Sequence, residues 1–112
     1  MNPVEIFVRH AAELDALGYF QYIREHNPEA ALRFLKAIDG TVENLALQPL
    51  KGRLRKFRGR DLKSISSWRV DGFENYLIFY RFTGMRLEIL RIKHGAMDFP
   101  QALRVKEKQD TT

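Results

Sequence analysis

The stretch FENYLIFYRF, residues 73–82, decides the fold of this chain. Apolar residues occupy both pleat faces over most of its length, which is typical of a central strand covered on both sides. The segments 62–70 and 86–93 flank it, and both are rich in the β-branched and aromatic residues that favour strands. The two gaps, Asp71-Gly72 and Thr83-Gly84, indicate tight hairpin turns, and Asp-Gly favours a type I′ turn. The pattern therefore predicts a three-stranded antiparallel meander.

A short strand and two helices are predicted upstream of the meander. Residues 3–8 alternate as a strand does, and residues 11–26 repeat apolar side chains at helical spacing. Asn27 suits the N-cap of a second helix and Pro28 its first position, and Pro49 ends that helix. The expected stripe of the first helix is Leu14, Leu17, Phe20 and Ile23, with Ala12, Ala16 and Tyr19 beside them. The expected buried stripe of the second helix is Ala31, Phe34, Leu35, Ile38, Val42 and Leu45.

The predicted architecture is α+β. An N-terminal strand precedes an antiparallel helical hairpin, which packs on an antiparallel β-sheet containing the meander because its apolar stripes need a surface to cover them. A short C-terminal helix is expected after Lys93. Everything fits a single domain over residues 1–105, followed by a polar tail at 106–112.

The composition is that of a globular protein, with 45% hydrophobic and 29% charged residues in a chain of 112. Because there is no cysteine, disulfides, thiolate zinc sites and cysteine nucleophiles are excluded. The apolar run at 76–80 is far shorter than the roughly 18 to 20 residues needed to cross a bilayer. Glu5 and Arg9 interrupt the apolar region that a secretory signal requires. We therefore expect a cytoplasmic protein with no membrane partner.

Charge is distributed unevenly along the chain. Residues 1–48 carry 4 basic and 7 acidic side chains, net −3, whereas residues 49–112 carry 15 and 7, net +8. The most basic stretch is KGRLRKFRGRDLK at 51–63, and its two glycines predict a loop. This loop is either a contact surface for a polyanion or a solvated connector. Within it, Phe57 either stacks on a base or pins the segment to the core. The candidate target-binding cations are Arg53, Arg55, Lys56, Arg58 and Arg60.

Two residues outside that stretch are candidates for chemistry. Arg81 interrupts the apolar central strand, so it either meets an anionic group of a partner or pairs with Glu74 or Glu88 across the sheet. His94 is either a general acid–base residue or a hydrogen-bonded structural histidine. The 3 histidines are scattered and no glycine-rich phosphate loop occurs, so we expect no metal, no cofactor and no small-molecule substrate.

Two longer segments carry a resemblance to a known family. WRVDGFENYLIFYR at 68–81 and LEILRIKHGAMD at 87–98 closely resemble the RelE/ParE superfamily of type II toxins, and NPEAALRFL at 27–35 is similar to a helix start in that family. The pairing of F-x-x-Y-L-I-F-Y-R with I-L-R-x-x-H-G-A-x-D is typical of the ParE-like branch. The resemblance implies the order of strand, helical hairpin and antiparallel sheet that the periodicity also predicts.

The resemblance implies a plasmid-stabilising toxin that is neutralised by a cognate acidic antitoxin. ParE-like toxins block DNA gyrase, whereas RelE-like toxins cleave mRNA on the ribosome, and we predict the gyrase-directed, non-enzymatic function. In the alternative, a ribosome-dependent mRNA endoribonuclease, His94 and Arg81 are the catalytic candidates, but the C-terminal Tyr of many RelE-like nucleases is absent. Arg81, His94 and Asp98 join the loop cations as predicted target-binding residues.

One position departs from the family pattern. Many relatives have Arg in the H-G-A-R-D motif where this chain has Met97. A third alternative is therefore a non-toxic relative that only binds an antitoxin. For the antitoxin we expect an apolar groove between the helical hairpin and the sheet, rimmed by cations.

Overall fold

A computed structural model of the chain describes residues 4–57, 59 and 63–95. These residues contain two helices and five strands. The predicted C-terminal helix and the tail at 106–112 lie outside these residues. In chain order the elements are β1 (Glu5–Val8), α1 (His10–His26), α2 (Pro28–Leu47), β2 (Arg53–Leu54), β3 (Ser66–Val70), β4 (Phe73–Thr83) and β5 (Arg86–His94).

The strands form one sheet in the order β1-β5-β4-β3-β2. Its centre is the predicted meander, since β4 pairs antiparallel with both β3 and β5. The sheet is mixed rather than wholly antiparallel, because β1 pairs parallel with β5 and places Ile6 beside Leu87. A helical hairpin between β1 and the meander returns the chain to the same end of the sheet, which permits this parallel pairing.

The basic segment contributes a strand that the sequence did not indicate. β2 pairs with β3 and sets Arg53 opposite Ser67, so part of the stretch expected to be a loop is an edge strand. The neighbouring strand is shorter than the predicted 62–70, because it begins at Ser66. Ser64, just before it, has a φ of 60°, a left-handed conformation that ends extended backbone.

Both predicted hairpin turns exist, with different details. Gly72 has a φ of 81° but Asp71 does not have a positive φ, so the predicted type I′ turn is wrong. The Asp71 N–H donates instead to the buried Thr41 hydroxyl on α2 at 3.0 Å, and a bulge interrupts the β3–β4 register after Arg69. The second loop is Gly84-Met85, one residue later than predicted, because Thr83 still pairs with Arg86.

The second helix is built as predicted. The Asn27 side chain accepts a hydrogen bond from the Ala30 N–H at 3.1 Å, and Pro28 is the first helical residue. Leu35 is half-buried, and Thr41 joins the fully covered face. Within the predicted stripe, the buried residues are Ala31, Phe34, Ile38, Val42 and Leu45.

The predicted stripe of the first helix is wrong for Leu14 and Leu17, because the buried face is rotated toward the residues beside them. Leu14 and Leu17 are 53% and 49% exposed, while Ala12 is fully buried. The residues packed on the core are Ile23 of that stripe and the three expected beside it, Ala12, Ala16 and Tyr19. This rotation directs Asp15 toward β5, where its carboxylate contacts two cations described below.

Both faces of β4 are covered, as the sequence predicted. Ile78 and Tyr80 belong to the main core shared with both helices, whereas Phe79 belongs to a second cluster with Ile65 and Leu90. Because successive strand residues point to opposite faces, this second cluster lies on the sheet face away from the helices. Within the described residues, no helix is long and apolar enough to cross a membrane.

Candidate functional site

The basic segment is fixed at its root by a buried tyrosine. Tyr80 on β4 is 1% exposed, and its hydroxyl accepts a hydrogen bond from the Gly52 N–H and donates one to the Pro49 carbonyl. Burial raises the pKa of Tyr80, and the hydrogen bonds from Gly52 and Ser66 partly oppose that rise. The segment therefore leaves the core from a defined point.

The cations of β2 and its continuation differ in how firmly they are held. Arg53 and Lys56 are exposed. The Arg55 Nε donates to the Ser67 hydroxyl at 2.8 Å, and its guanidinium carbon lies 5.8 Å from the centre of the Phe79 ring. Burial lowers the pKa of Arg55, and the charge of Arg53 lowers it further. Arg55 is therefore a cation held by two contacts, and it lies between two exposed ones.

Phe57 pins the basic segment to the sheet. Its ring lies 6.4 Å from that of Phe79 and packs against the second apolar cluster. Of the two predicted roles, the structure confirms this contact with the core. Two of the predicted target-binding cations, Arg58 and Arg60, lie outside the described residues.

Arg81 lies among anchoring contacts on β4. Its Nε donates to the Lys63 carbonyl at 3.2 Å, and its Nη1 lies 3.9 Å from the Glu88 carboxylate, which is its cross-strand neighbour. Glu88 also pairs with Arg9 at 2.9 Å. The predicted alternative of an ion pair with Glu88 is therefore present. The Arg81 side chain is 21% exposed, so part of it is accessible to a partner. Target binding by Arg81 stays a prediction.

His94 lies at the other end of the β4–β5 pair, beside aromatic residues. Its backbone N–H donates to the Tyr19 hydroxyl at 3.0 Å, and its ring meets the edge of Tyr76 at 5.1 Å between centres. Burial raises the pKa of both Tyr19 and Tyr76. These residues, with Leu14, Gly18 and Tyr22, line a cavity of about 560 Å³, which we call the aromatic cavity.

The two catalytic candidates of the nuclease alternative are not brought together. His94 is opposite Tyr76 and Glu88 is opposite Arg81, so five strand residues, about 16 Å, separate the two positions. Tyr76 packs with the helix-side core, and Arg81, five residues on, points to the other face. One phosphate group therefore cannot contact both side chains in this arrangement.

A buried ionic cluster was not predicted. Asp15 receives both Nε and Nη2 of Arg91 at 2.7 and 2.6 Å, and the Lys93 ammonium at 3.2 Å. Its carboxylate also accepts the Ile92 N–H at 3.0 Å, beyond the stretch where β1 pairs with β5. The alternation Arg91, Ile92, Lys93 directly after the apolar pair Ile89-Leu90 was the available signal, because two cations buried in a strand require a carboxylate.

A second cavity, of about 390 Å³, lies between β1, α1, α2 and β5. Apolar residues such as Ile6, Ile38 and Val42 line it, as expected for a groove beside the helical hairpin. Its charged lining is acidic, from Glu13, Asp39 and Glu43, so the expectation of cations around this groove is wrong. The acidic N-terminal half of the chain supplies those carboxylates.

The described residues contain no group of three His, Asp or Glu side chains that could hold a metal ion. The motif H-G-A-x-D begins at His94 and Gly95, and Gly95 is fixed by its N–H to the Asn75 carbonyl at 2.7 Å. Met97 and Asp98, the remaining members that bear on the predictions, lie outside the described residues.

Most of the chain matches a known protein family. The family described as "ParE toxin of type II toxin-antitoxin system, parDE" matches residues 6–99, nearly the whole chain. The chain belongs to the ParE toxin family. No match was found among curated proteins.

Solved structures agree with this ParE fold. One, titled as a chromosomal ParDE toxin–antitoxin system from P. aeruginosa, is 18% identical, with a TM-score of 0.66 over 81% of this chain and 95% of that one. Another, a RelBE2 toxin–antitoxin complex from Mycobacterium tuberculosis, is 21% identical, with a TM-score of 0.56 over 87% and 97%. At these identities the likeness concerns the fold: two helices on a five-stranded sheet, the RelE/ParE-like architecture that the sequence predicted.

Proposed function

We propose that this ParE-family chain is a cytoplasmic toxin that inhibits DNA gyrase and is neutralised by a cognate acidic antitoxin. The observation that carries the proposal is the family match over residues 6–99, which names the toxin of a parDE system. A toxin of this kind stabilises a plasmid when the plasmid encodes both partners. The resemblance of the meander sequence to the ParE-like branch supports gyrase over other targets.

The charge of the basic segment supports a target that contains a polyanion. Gyrase acts on DNA, and a complex of enzyme and DNA offers phosphates to the exposed Arg53 and Lys56. Arg55 holds a fixed position between them because Ser67 and Phe79 constrain its guanidinium. Contacts of this type steer association and weaken as salt rises, since each neutralised phosphate releases counterions.

Geometry disfavours the alternative of a ribosome-dependent endoribonuclease. Cleavage of RNA by its 2′-hydroxyl needs a base, an acid and cations around one phosphate. His94 and Arg81 lie about 16 Å apart along β4 and β5 and on opposite faces of the sheet. These two candidates therefore do not form one such centre.

An antitoxin partner is supported by both relatives and charge. The similar structures come from a ParDE and a RelBE2 toxin–antitoxin system. The chain carries a formal net charge of +5, so an acidic partner gains electrostatic complementarity in solution. An antitoxin segment that occupies the second cavity would meet the carboxylates of Glu13, Asp39 and Glu43, so neutral or basic residues suit that segment.

Expression in cells from a tightly controlled promoter tests the toxin function. We expect growth arrest accompanied by DNA breaks, while protein synthesis continues at first, and full rescue when the cognate acidic antitoxin is co-expressed. An immediate stop of protein synthesis, with codon-positioned mRNA cuts that His94→Ala abolishes, would establish the endoribonuclease instead. A harmless product that still binds the acidic antitoxin would establish the non-toxic alternative, with Met97→Arg as the variant that tests the motif.

A further inference from the structure

One aromatic ring holds two cations at the edge of the sheet. The Lys51 ammonium nitrogen lies 4.7 Å from the centre of the Trp68 ring, and the Arg69 guanidinium carbon lies 5.0 Å from the same centre. Trp68 is half-buried and packs against the main core, so its ring is a fixed support for both cations. We call these three residues the indole site.

The indole site lies beside the end of β2. In the described residues, the pairing of β2 with β3 extends as far as Ser67, so Trp68 and Arg69 lie on β3 beyond it. Trp68 packs on the helix side of the sheet, and Arg69, the next strand residue, starts from the opposite face. Lys51 reaches the ring from the segment before β2. Two separate parts of the chain therefore bring their cations to one ring.

The described residues provide no carboxylate that balances these two charges. Neither Lys51 nor Arg69 forms an ion pair among them. Like charges held around one ring repel each other, and an anion bound between them offsets that repulsion. The neighbouring sequence adds to the positive potential, because residues 44–70 contain eight Lys and Arg residues and one acidic residue, Asp61.

The indole N–H is a second observation that points to a ligand. The Nε1 atom of Trp68 is buried, and no acceptor among the described residues binds it. Buried donors are nearly always paired with the protein, with water or with a bound group. An anion rich in oxygen that is drawn to Lys51 and Arg69 also brings acceptor atoms to the ring that carries this donor.

We propose that the indole site binds phosphates of a nucleic-acid backbone, so that the isolated chain binds nucleic acid directly. A row of phosphates fits better than the carboxylates of an acidic protein, because the exposed Arg53 and Lys56 continue the line of cations along β2. The two cations lie where a stacked base would lie, so the contact is to the backbone and carries no sequence preference. The site extends the surface that the proposed function assigns to the toxin target, but the binding itself does not require gyrase.

The fluorescence of Trp68 reports on this site, because it is the single tryptophan of the chain. The experiment titrates the full chain with two short DNA duplexes of equal length and unrelated sequence. We expect the Trp68 emission to change and to saturate with either duplex, with affinities within about twofold of each other. An RNA duplex of one of these sequences, titrated in parallel, shows which nucleic acid presents its phosphates better to the site.

A pair of double variants makes the test specific. Lys51→Gln, Arg69→Gln removes both charges and keeps Trp68. The slope of log affinity against log salt concentration, measured by the anisotropy of a labelled duplex, should fall by about 1 for each lost phosphate contact. Arg33→Gln, Lys36→Gln is the matched control, since it makes the same change of charge at two exposed positions on α2. This control should keep the slope of the parent chain.

Several results would overturn the proposal. One is an unchanged slope in Lys51→Gln, Arg69→Gln, and another is an equal fall in the control. A third is a Trp68 emission that stays constant at saturating DNA, a measurement that needs only the parent chain. Tighter binding of poly-glutamate than of duplex DNA would overturn it as well and would assign the site to an acidic protein.

Failure of this inference and failure of the proposed function are distinguishable. A chain that binds DNA through the indole site but leaves gyrase unaffected would refute the proposed function and leave this site standing. A chain that inhibits gyrase but binds no duplex would refute the indole site alone.

Discussion

The backbone N–H of Gly52 donates a hydrogen bond to the hydroxyl of Tyr80 at 3.0 Å, across 28 residues of sequence. A Cβ on residue 52 would overlap that hydroxyl and lie 2.8 Å from the ring carbon that carries it. Tyr80 belongs to the central strand and Gly52 to the start of the basic segment. This pair of residues therefore connects the main core to the basic segment, the surface that we propose binds the target of the toxin.

Gly52→Ala should lower the free energy of unfolding by about 1–3 kcal/mol, because the new methyl group must displace a fully buried ring. Gly40→Ala is the control: it introduces the same group in open space on α2 and should stabilise the chain by roughly 0.5–1 kcal/mol. Urea denaturation of both variants measures the difference. Equal stability of the two would show that Tyr80 does not hold the basic segment.

Stability should fall as the pH rises above about 10. Below that pH Tyr80 is protonated in both states. Above it the unfolded chain loses the phenol proton of this residue while burial keeps it bound in the folded chain, so ionisation favours unfolding. Burial shifts the pKa of Tyr19 and Tyr76 in the same direction. Denaturation between pH 8 and 11 should give a shallower alkaline decline for Tyr80→Phe than for Tyr22→Phe, an exposed control. Identical declines would contradict this assignment.

Asp15→Asn should destabilise the chain by about 3–5 kcal/mol, since it leaves Arg91 and Lys93 buried without their carboxylate. Glu5→Gln is the matched control because Glu5 is 73% exposed and pairs with Arg86 at 3.5 Å. That change should cost less than about 1 kcal/mol. Thermal unfolding of the two variants measures these losses of stability. Equal losses would contradict a structural role for the cluster of Asp15, Arg91 and Lys93.

The double variant Arg53→Ser, Lys56→Ser should cause a partial loss of toxicity and a weaker salt dependence of gyrase inhibition. Its free energy of unfolding should not change, because both side chains are exposed. Arg81→Lys keeps the charge but loses the planar guanidinium, and we expect a sharp loss of toxicity at an unchanged melting temperature. A lower melting temperature with toxicity preserved would show that Arg81 has only a structural role, through its contacts with Glu88 and Lys63.

The meander and the second helix were predictable because their signals are local. Alternation and turn residues specify β3–β5, and Asn27-Pro28 carries its own capping chemistry. The rotation of α1 was not predictable, because two overlapping stripes exist in its sequence. Leu14 and Leu17 are more apolar than Ala12 and Ala16, yet the small residues allow closer packing, and Asp15 must face Arg91.

The residues of the candidate site were predictable from the sequence, but their positions relative to one another were less so. The basic segment is evident from charge, but its β2 strand and its Tyr80 root depend on contacts with residues far along the chain. Likewise, the sequence suggests His94 and Arg81 as a pair, and only strand register shows that they lie far apart. The parallel pairing of β1 has no local signal, because it depends on where the helical hairpin returns the chain.

Supercoiling of relaxed plasmid DNA by purified gyrase, with increasing amounts of this chain, is the most direct measurement of the central claim. We predict dose-dependent loss of supercoiled product or accumulation of cleaved DNA, and its reversal when the acidic antitoxin is added. Unimpeded supercoiling by a preparation that arrests growth when expressed would contradict gyrase as the target.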